Sequence, residues 1–267
     1  MLVAGAPRSG TTLLSALLST SPDCQPFRPE AHYLAEVVRA WASGRADFEV
    51  STQYFCRDRA AFDDLHFDFV GRLLDEARAT CGSPRLLVVK HCTLTPLLPA
   101  LLRRLPRLRA VVIARDCAAL AVSMRRAFGE SALAPPAVDR LVRTYNAYYG
   151  AAVSAALADP DRCLLLRYES LVSGAGPDIA GALGIAPLRP DRLWDRADFD
   201  LPVLVRGDPL SSSLWGEPLT ARRLEEDAGT LGPALAERIG RDTREVARAV
   251  ERLSQAACAL GKELEPC

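Results

Sequence analysis

Lysine is nearly absent from this 267-residue chain, which has only Lys90 and Lys262 beside 31 arginines. The basic residues are matched by 33 acidic ones, so the formal net charge is zero. A chain without a basic surplus lacks the charge that general nucleic-acid binding requires, and we expect no nucleic-acid partner. A lysine kept in an arginine-rich chain indicates a position that needs a compact ammonium, because a planar guanidinium cannot place the same point charge on one atom.

Long apolar runs and paired cysteines are absent as well. No stretch of 18 apolar residues occurs, so we expect no transmembrane helix and no membrane partner. The chain opens on Leu2 and Val3 without the basic region and cleavage site of a signal peptide. The eight cysteines form no Cys-x-x-Cys pair and no His-x-x-x-His accompanies them, so we expect no metal. These features predict a cytoplasmic protein with reduced thiols.

Short apolar runs alternate with helical patterns along most of the chain. The runs predict strands over residues 1–5, 86–90, 109–114 and 163–167, each followed by a helix, over 11–18, 94–104, 116–128 and 168–183. Two longer helices are predicted over 58–80 and 137–157. Continuous Val, Ile and Leu runs between helices predict an α/β fold of three layers, with a central parallel sheet flanked by helices.

The domain organisation predicted from this pattern is a single domain over residues 1–267. Residues 187–220 are rich in Pro, Asp, Arg and Ser without clear periodicity, which predicts a lid or long loop. Residues 221–260 are predicted as a C-terminal helical segment. No internal repeat or linker divides the chain.

A glycine loop follows the first predicted strand. Gly5 and Gly10 bracket Ala6-Pro7-Arg8-Ser9, and Thr11 and Thr12 then open a helix. A strand, a Gly-x-x-x-x-Gly loop and a helix N-terminus cradle phosphate through backbone N–H groups and the helix dipole, which makes the predicted fold P-loop-like. The Walker A lysine position is occupied by Thr11, and the positive charge lies inside the loop as Arg8.

The segment Pro7-Arg8-Ser9-Gly10-Thr11-Thr12-Leu13 resembles the 5′-phosphosulfate loop of sulfotransferases that use 3′-phosphoadenosine 5′-phosphosulfate (PAPS). Its Arg-Ser-Gly-Thr-Thr form is closest to the tyrosylprotein and carbohydrate branches. The resemblance implies PAPS as donor, adenosine 3′,5′-bisphosphate as product and no metal. It places the donor against Arg8, Ser9, Gly10, Thr11 and Thr12.

A second anion site is predicted after the strand at 109–114. Arg115 and Asp116 end this strand, and Ser123 and Met124 follow in the next helix. This spacing resembles the family's 3′-phosphate motif, which implies that Arg115 and Ser123 bind that phosphate, whereas Asp116 is also a natural helix N-cap. Further on, Arg167-Tyr168-Glu169 resembles the segment whose tyrosine lies near the adenine. A late basic loop completes the family's 3′-phosphate site, and Arg206 or the cluster Ser211–Ser213 is the candidate here.

The reacting centre is predicted around Lys90, at the end of an apolar strand where ligands bind in open α/β sheets. The resemblance implies that its ammonium stabilises charge on the oxygen that leaves toward the nucleotide. It also implies a glutamate base after the first helix, for which Glu30 is the leading candidate. His32 and His91 compete with it, although the step from Lys90 to His91 should reverse the face of a regular strand. The third histidine, His66, is the remaining one to test.

These features predict a PAPS-dependent sulfotransferase that acts on an acceptor hydroxyl. A saccharide, a phenol or alcohol, and a peptide tyrosine remain open as acceptors, with a small molecule or saccharide favoured. The predicted pocket is built from residues 24–53, 58–80 and 187–218. Two other functions remain open, namely a P-loop kinase with a degenerate Walker A loop and a non-catalytic nucleotide-binding protein. A homodimer is compatible with the sequence.

Overall fold

A four-stranded parallel sheet forms the centre of the computed structural model, which describes residues 1–195 and 230–262. The strands are β1 (Leu2–Ala4), β2 (Val89–Lys90), β3 (Ala110–Ala114) and β4 (Cys163–Arg167), in the order β2-β1-β3-β4. Leu2 lies opposite both Val89 and Ala110 in the register. Because all four strands are parallel, their carboxyl ends meet at one edge of the sheet.

The helices cover both faces of this sheet. They are α1 (Thr11–Leu18), α2 (His32–Ala46), α3 (Arg59–Thr80), α4 (Leu98–Arg104), α5 (Cys117–Phe128), α6 (Pro135–Ala158), α7 (Tyr168–Val172), α8 (Ile179–Leu183) and α9 (Pro233–Lys262). Short 3₁₀ turns occur at Thr52–Tyr54, Cys92–Leu97, Glu130–Leu133 and Pro190–Arg192. Within the described residues, no helix combines the length and apolarity needed to cross a membrane. The seven cysteines found there are free thiols.

Alternating residues of the strands belong to two separate apolar clusters, one on each face of the sheet. Leu2 and Val112 belong to the cluster shared with α2–α6 and α9, whereas Val3, Val111 and Ile113 belong to the cluster shared with α1, α7 and α8. This alternation follows from the two-residue period of a strand, which sends neighbouring side chains to opposite faces. The predicted three-layer α/β fold with a central parallel sheet is therefore confirmed.

Most predicted strands and helices in residues 1–195 match the observed ones to within two residues, and three differ by more. The strand over 86–90 pairs with β1 only at Val89–Lys90. On its other edge, the Gln25 side chain bonds both backbone groups of Val88, at 2.7 and 2.9 Å, and Leu86 forms an isolated bridge with Cys24. The helix over 94–104 begins as a 3₁₀ turn that contains Pro96, whose ring lacks an N–H group. The helix over 168–183 is two short helices, α7 and α8, separated by a turn in which Gly174 has a φ of 73°.

Helix α2 was not predicted from the sequence. Its buried residues are Leu34, Ala35, Val38 and Trp41, and they alternate with exposed polar residues. No side chain caps its N-terminus, so the usual start signal is missing. In the C-terminal part, the helix observed is Pro233–Lys262, which begins inside the predicted segment 221–260 and ends two residues beyond it. Residues 196–229, which include most of the predicted lid and the start of the predicted tail helix, lie outside the described residues.

A buried carboxylate joins three helices on one side of the sheet. Asp63 on α3 is 1% exposed and accepts a hydrogen bond from the Trp41 indole nitrogen of α2 at 2.7 Å. It also pairs with Arg45 of α2 at 2.8 Å and with Arg104 of α4. A buried carboxylate is costly unless its oxygens are all bonded, and these partners meet that requirement.

Replacing this carboxylate should destabilise the fold. Asp63→Ala leaves the Trp41 indole N–H without its acceptor, and we expect the free energy of unfolding to fall by about 2–3 kcal/mol. The two arginines are 41% and 36% exposed, so water compensates part of their loss. Denaturant titration measures the change. Asp64→Ala, whose side chain is 70% exposed, is the matched control and should change stability by less than about 0.5 kcal/mol; equal losses would contradict the prediction.

Candidate active site

The turn between β1 and α1 is a tight backbone loop at the carboxyl edge of the sheet. Gly5 and Gly10 have φ values of 151° and 103°, and Arg8 between them has a φ of 71°. A Cβ at Gly5 would lie 2.4 Å from the Ile113 carbonyl oxygen, and one at Gly10 would lie 2.6 Å from the Tyr168 ring. Only glycine fits both positions. The loop is therefore pressed against β3 and α7, with the uncapped N-terminus of α1 directly behind it.

The hydroxyl residues of this loop face in two directions. Ser9 and Thr11 are buried, at 0% and 6% exposure. Thr12 is half-buried, and its Oγ1 accepts a hydrogen bond from the Lys90 ammonium at 3.0 Å. Thr12 therefore joins the loop to the end of β2.

Thr95, which the sequence did not single out, holds the start of the loop from below. Its buried hydroxyl accepts a hydrogen bond from the Gly5 N–H at 2.9 Å. The same hydroxyl lies 3.0 Å from the Gly5 carbonyl oxygen and 2.7 Å from that of Cys92, to which it donates. One side chain thus connects the glycine loop to the backbone that follows Lys90.

Tyr149 provides a second support that sequence analysis missed. Its side chain on α6 is fully buried, and its hydroxyl accepts from the Ala6 N–H and donates to the Ile113 carbonyl, both at 3.3 Å. In the sequence, Tyr149 and Thr95 both lie within largely apolar helical patterns, which indicate core packing only. No local signal reveals a partner more than 80 residues away.

Removing the Thr95 hydroxyl should weaken the junction that it makes. Thr95→Val leaves the Gly5 N–H buried without an acceptor, and we expect unfolding free energy to fall by about 1–3 kcal/mol. Thr95→Ser keeps the hydroxyl and is the matched control, with a smaller loss from the missing methyl group. Thermal or denaturant unfolding compares the two variants. If Val and Ser substitutions cost the same, the hydroxyl is not what holds the loop.

The residues of the second predicted anion site meet the loop. The Arg8 Nε donates to the Ser123 Oγ at 3.4 Å, and an Arg115 Nη1 donates to the Arg8 carbonyl oxygen at 3.3 Å. The Arg115 guanidinium also lies over the Tyr168 ring, 4.4 Å from its centre. Arg8 of the loop, Arg115 and Ser123 of the predicted 3′-phosphate site, and Tyr168 of the predicted adenine region are therefore neighbours.

Asp116 and Glu169 fix the backbone beside this arginine. The Asp116 carboxylate caps α5 by accepting from the N–H groups of Ala118 and Ala119, as predicted for an N-cap. The Asp116 N–H donates to Glu169 Oε1 at 3.0 Å. Glu169 also pairs with Arg167 at 3.1 Å. These bonds tie the end of β3 to the end of β4 and to α7.

The predicted reacting residues Lys90 and Glu30 are in direct contact. The Lys90 Nζ donates to Glu30 Oε1 at 3.1 Å, and Lys90 is only 4% exposed. The backbone explains why two residues so far apart in the chain meet, because the Ala31 N–H donates to the Lys90 carbonyl at 2.9 Å. The segment before α2 therefore lies against the carboxyl end of β2.

His91 and His32 lie on the other side of Glu30. His91 Nε2 is 3.1 Å from His32 Nδ1 and 3.7 Å from Glu30 Oε2. The side chains of Lys90 and His91 were expected on opposite faces of the strand. Both nevertheless lie near Glu30, because Oε1 of its carboxylate faces Lys90 and Oε2 faces His91. The remaining histidine, His66, contacts the backbone carbonyl one turn earlier on α3.

Thr93 fixes the tautomer of His91. Its backbone N–H, which can only donate, points at His91 Nδ1 at 3.3 Å, and its hydroxyl lies 2.8 Å from the same nitrogen. We therefore assign the proton of the neutral ring to Nε2. Burial lowers the pKa of His91 from its usual value, and the nearby Glu30 carboxylate only partly opposes this effect. The ring is consequently neutral near pH 7.

The late residues proposed for the 3′-phosphate, Arg206 and Ser211–Ser213, lie outside the described residues. The structure therefore brings together two groups from the sequence analysis. One group comprises Arg8, Arg115, Ser123 and Tyr168, and the other comprises Thr12, Lys90, Glu30, His91 and His32. Thr12 lies in the first turn of α1, which follows the glycine loop. Its contact with Lys90 connects the two groups at the carboxyl edge of β1.

Comparison with known proteins agrees with this geometry. The chain matches the model of the family described as "Sulfotransferase family" over residues 1–178. A solved structure, the sulfotransferase domain from the curacin biosynthetic pathway, is similar with a TM-score of 0.58 and 17% identity. The match covers 91% of this chain and 96% of that one, and at this identity it shows a shared fold. A comparison with curated protein sequences finds no match. Because the family model spans the glycine loop, Lys90, Arg115 and Tyr168, the chain belongs to the sulfotransferase family.

Proposed function

We propose that this sulfotransferase moves a sulfuryl group from PAPS to the hydroxyl of a small-molecule or saccharide acceptor in the cytoplasm. The reaction breaks the bond between sulfur and the bridging phosphate oxygen and forms a bond between sulfur and the acceptor oxygen. Adenosine 3′,5′-bisphosphate leaves, and the acceptor hydroxyl loses its proton. The proposal rests chiefly on one observation: Lys90 contacts both Thr12 of the glycine loop and Glu30.

The donor side of the site is supported by the arginines around the loop. Arg8 and Arg115 bring two guanidinium groups to Ser123 and the loop backbone, where a phosphate needs fixed cations and N–H donors. The Tyr168 ring is 6% exposed and lies beneath the Arg115 guanidinium, so it holds that group in place, and its nearness to the adenine is what the family resemblance implies. PAPS would be held by these residues and would supply the activated sulfuryl group.

The lysine of this site fits sulfuryl transfer better than phosphoryl transfer from a nucleoside triphosphate. In a Walker A loop the lysine precedes the hydroxyl residue on the loop itself, where it reaches the terminal phosphates. Here Thr11 occupies that position, and the only ammonium near the loop within the described residues comes from β2. The contact of Lys90 with Thr12 supports a role for this ammonium beside the oxygen that leaves toward the nucleotide.

Glu30 is the base that the contacts favour over the histidines. The basic nitrogen of His91, Nδ1, is occupied by Thr93 and turned away from Glu30. His32 Nδ1 faces the Nε2–H of His91 and accepts from it, so its basic lone pair is also used. The Glu30 carboxylate is 21% exposed and keeps lone pairs for the acceptor hydroxyl.

The direct test is a transfer assay with radiolabelled sulfate in PAPS. Saccharides, small phenols and alcohols, and tyrosine peptides form the three acceptor arms, each with and without a metal chelator. We expect label transfer to a small molecule or saccharide that the chelator does not reduce. Transfer from labelled ATP that depends on Mg²⁺ would establish the kinase instead. Tight bisphosphate binding with no transfer in any arm would support a non-catalytic protein.

Recognition of the 3′-phosphate gives a second measurable expectation. Arg115→Ala should lower the affinity for adenosine 3′,5′-bisphosphate about 10- to 100-fold, the value of a charge-assisted contact, and should lower that for adenosine 5′-phosphate far less. Isothermal titration calorimetry measures both. Arg107→Ala, whose side chain lies before the amino end of the same strand and is 79% exposed, is the control. Equal losses for both nucleotides would mean that Arg115 only supports the fold.

A further inference from the structure

The carboxyl edge of the sheet also carries a group of side chains of metal-ligating types that sequence analysis did not predict to bind metal. The ligand atoms of Glu30, His91 and Cys92 all lie within 4.8 Å of one another. Sequence analysis argued against a metal site because no paired cysteines or histidines occur at short spacing. Short-range spacing does not detect this cluster, because Glu30 lies in the loop before α2 whereas His91 and Cys92 follow β2.

The arrangement of these atoms suits a small, tetrahedral cation. His91 Nε2 lies 3.7 Å from Glu30 Oε2 and 3.1 Å from His32 Nδ1. Two ligand atoms bound to one tetrahedral zinc ion, at about 2.0–2.3 Å each, lie about 3.3–3.7 Å apart, and the separation of His91 from Glu30 falls in this range. A carboxylate, an imidazole nitrogen and a thiol together form a donor set typical of zinc rather than of magnesium or calcium.

The hydrogen bonds of His91 can adapt to such an ion. A metal on Nε2 requires the ring proton to move to Nδ1, and the Thr93 hydroxyl oxygen, 2.8 Å from Nδ1, can accept it. This exchange sacrifices the weaker bond from the Thr93 N–H, at 3.3 Å. The ring therefore keeps a partner on its second nitrogen when the first binds metal.

We propose that Glu30, His91 and Cys92 bind one zinc-type divalent cation that inhibits the enzyme. The ion engages the Glu30 oxygen that faces His91 and so removes the carboxylate that we assign as base. Metal binding itself does not depend on that assignment, whereas the inhibition rests on the proposed function.

Two features keep this binding weaker than that of a structural zinc site. The Lys90 ammonium is 3.1 Å from the other oxygen of Glu30 and repels a cation. Burial raises the pKa of the Cys92 thiol to about 11, with a further contribution from Glu30, and the metal must displace that proton. We therefore expect a reversible site that a chelator empties.

Cobalt(II) titration of the purified full chain, without nucleotide, tests the site independently of catalysis. We expect visible absorption typical of tetrahedral Co²⁺ together with a thiolate-to-cobalt charge-transfer band. Cys92→Ser should remove the charge-transfer band. Cys81→Ser, a cysteine of similar partial exposure at the end of α3, should retain it. Absence of any band that depends on Cys92 overturns the proposal.

A second measurement links the ion to activity. Zinc should inhibit sulfuryl transfer by the wild-type chain, and a chelator should restore it. In Cys92→Ser, the zinc concentration for half-inhibition should rise about 10- to 100-fold or more. An unchanged concentration overturns the inhibitory role of this cluster. If no acceptor is turned over at all, the proposed function fails, and the cobalt spectrum still decides whether the metal site exists.

Discussion

Lys90→Ala is expected to lower kcat by about 10²- to 10³-fold, the usual cost of removing one group that stabilises transition-state charge. The affinity for adenosine 3′,5′-bisphosphate should change little, because the lysine acts on charge that develops as the sulfuryl group leaves. The structure supports this position, since Lys90 is buried and lies between Thr12 and Glu30. Steady-state kinetics and calorimetric titration measure the two quantities separately.

Lys90→Arg is the informative companion variant. It keeps the charge but replaces a compact ammonium by a planar fork, so it should recover only part of the lost turnover. Unfolding curves of both variants establish that the fold survives the loss of a buried cation. A drop in bisphosphate affinity as large as the drop in kcat would assign Lys90 to ground-state binding, and full activity of the Arg variant would remove the requirement for a point charge.

Glu30→Gln should lower turnover by about 10²- to 10⁴-fold, the range for loss of a general base. The amide keeps the size of the side chain and can still accept from Lys90 through its oxygen, so the effect isolates basicity. The loss should be larger with an alcohol acceptor than with a phenol, whose proton leaves more easily. Turnover with one acceptor of each kind is the measurement.

The histidine variants provide the comparison for Glu30. His91→Ala should cost less than Glu30→Gln, because Thr93 already occupies the basic nitrogen of His91. His32→Ala should cost least, since its exposed ring contacts His91 and not Glu30. Near-normal turnover of Glu30→Gln beside an inactive His91→Ala would transfer the role of base to the histidine.

Local patterns were sufficient to predict the sheet and the glycine loop. The predicted helix over 11–18 has the observed bounds, because the loop glycine and the apolar run that follows mark its start within a few residues. Asp116 was predicted as an N-cap and is one, since capping depends on residues two and three positions ahead. The long helix predicted over 58–80 is α3, which Asp58 caps.

Contacts between distant segments could not be predicted in the same way. Gln25 satisfies both backbone groups of Val88 on the outer edge of the sheet, a contact across 63 residues that no propensity reveals. Helix α2 lacks a capping side chain at its start, and its alternation of apolar and polar residues is too weak to predict a helix. Thr95 and Tyr149 bond the glycine loop only in the tertiary fold. In the sequence they look like ordinary residues of buried helices, and nothing indicates the hydrogen bonds that their hydroxyls make.

The hydrogen bond from the Ala31 N–H to the Lys90 carbonyl fixes the backbone between Glu30 and the start of helix α2. Glu30 immediately precedes this bond, so the main chain holds Glu30 beside the carboxyl end of β2. Helix α2 begins one residue later, at His32, and its exposed surface is free of that constraint. We therefore expect that substitutions on the exposed face of α2, in the segment predicted to line the acceptor pocket, leave Glu30 and Lys90 in contact.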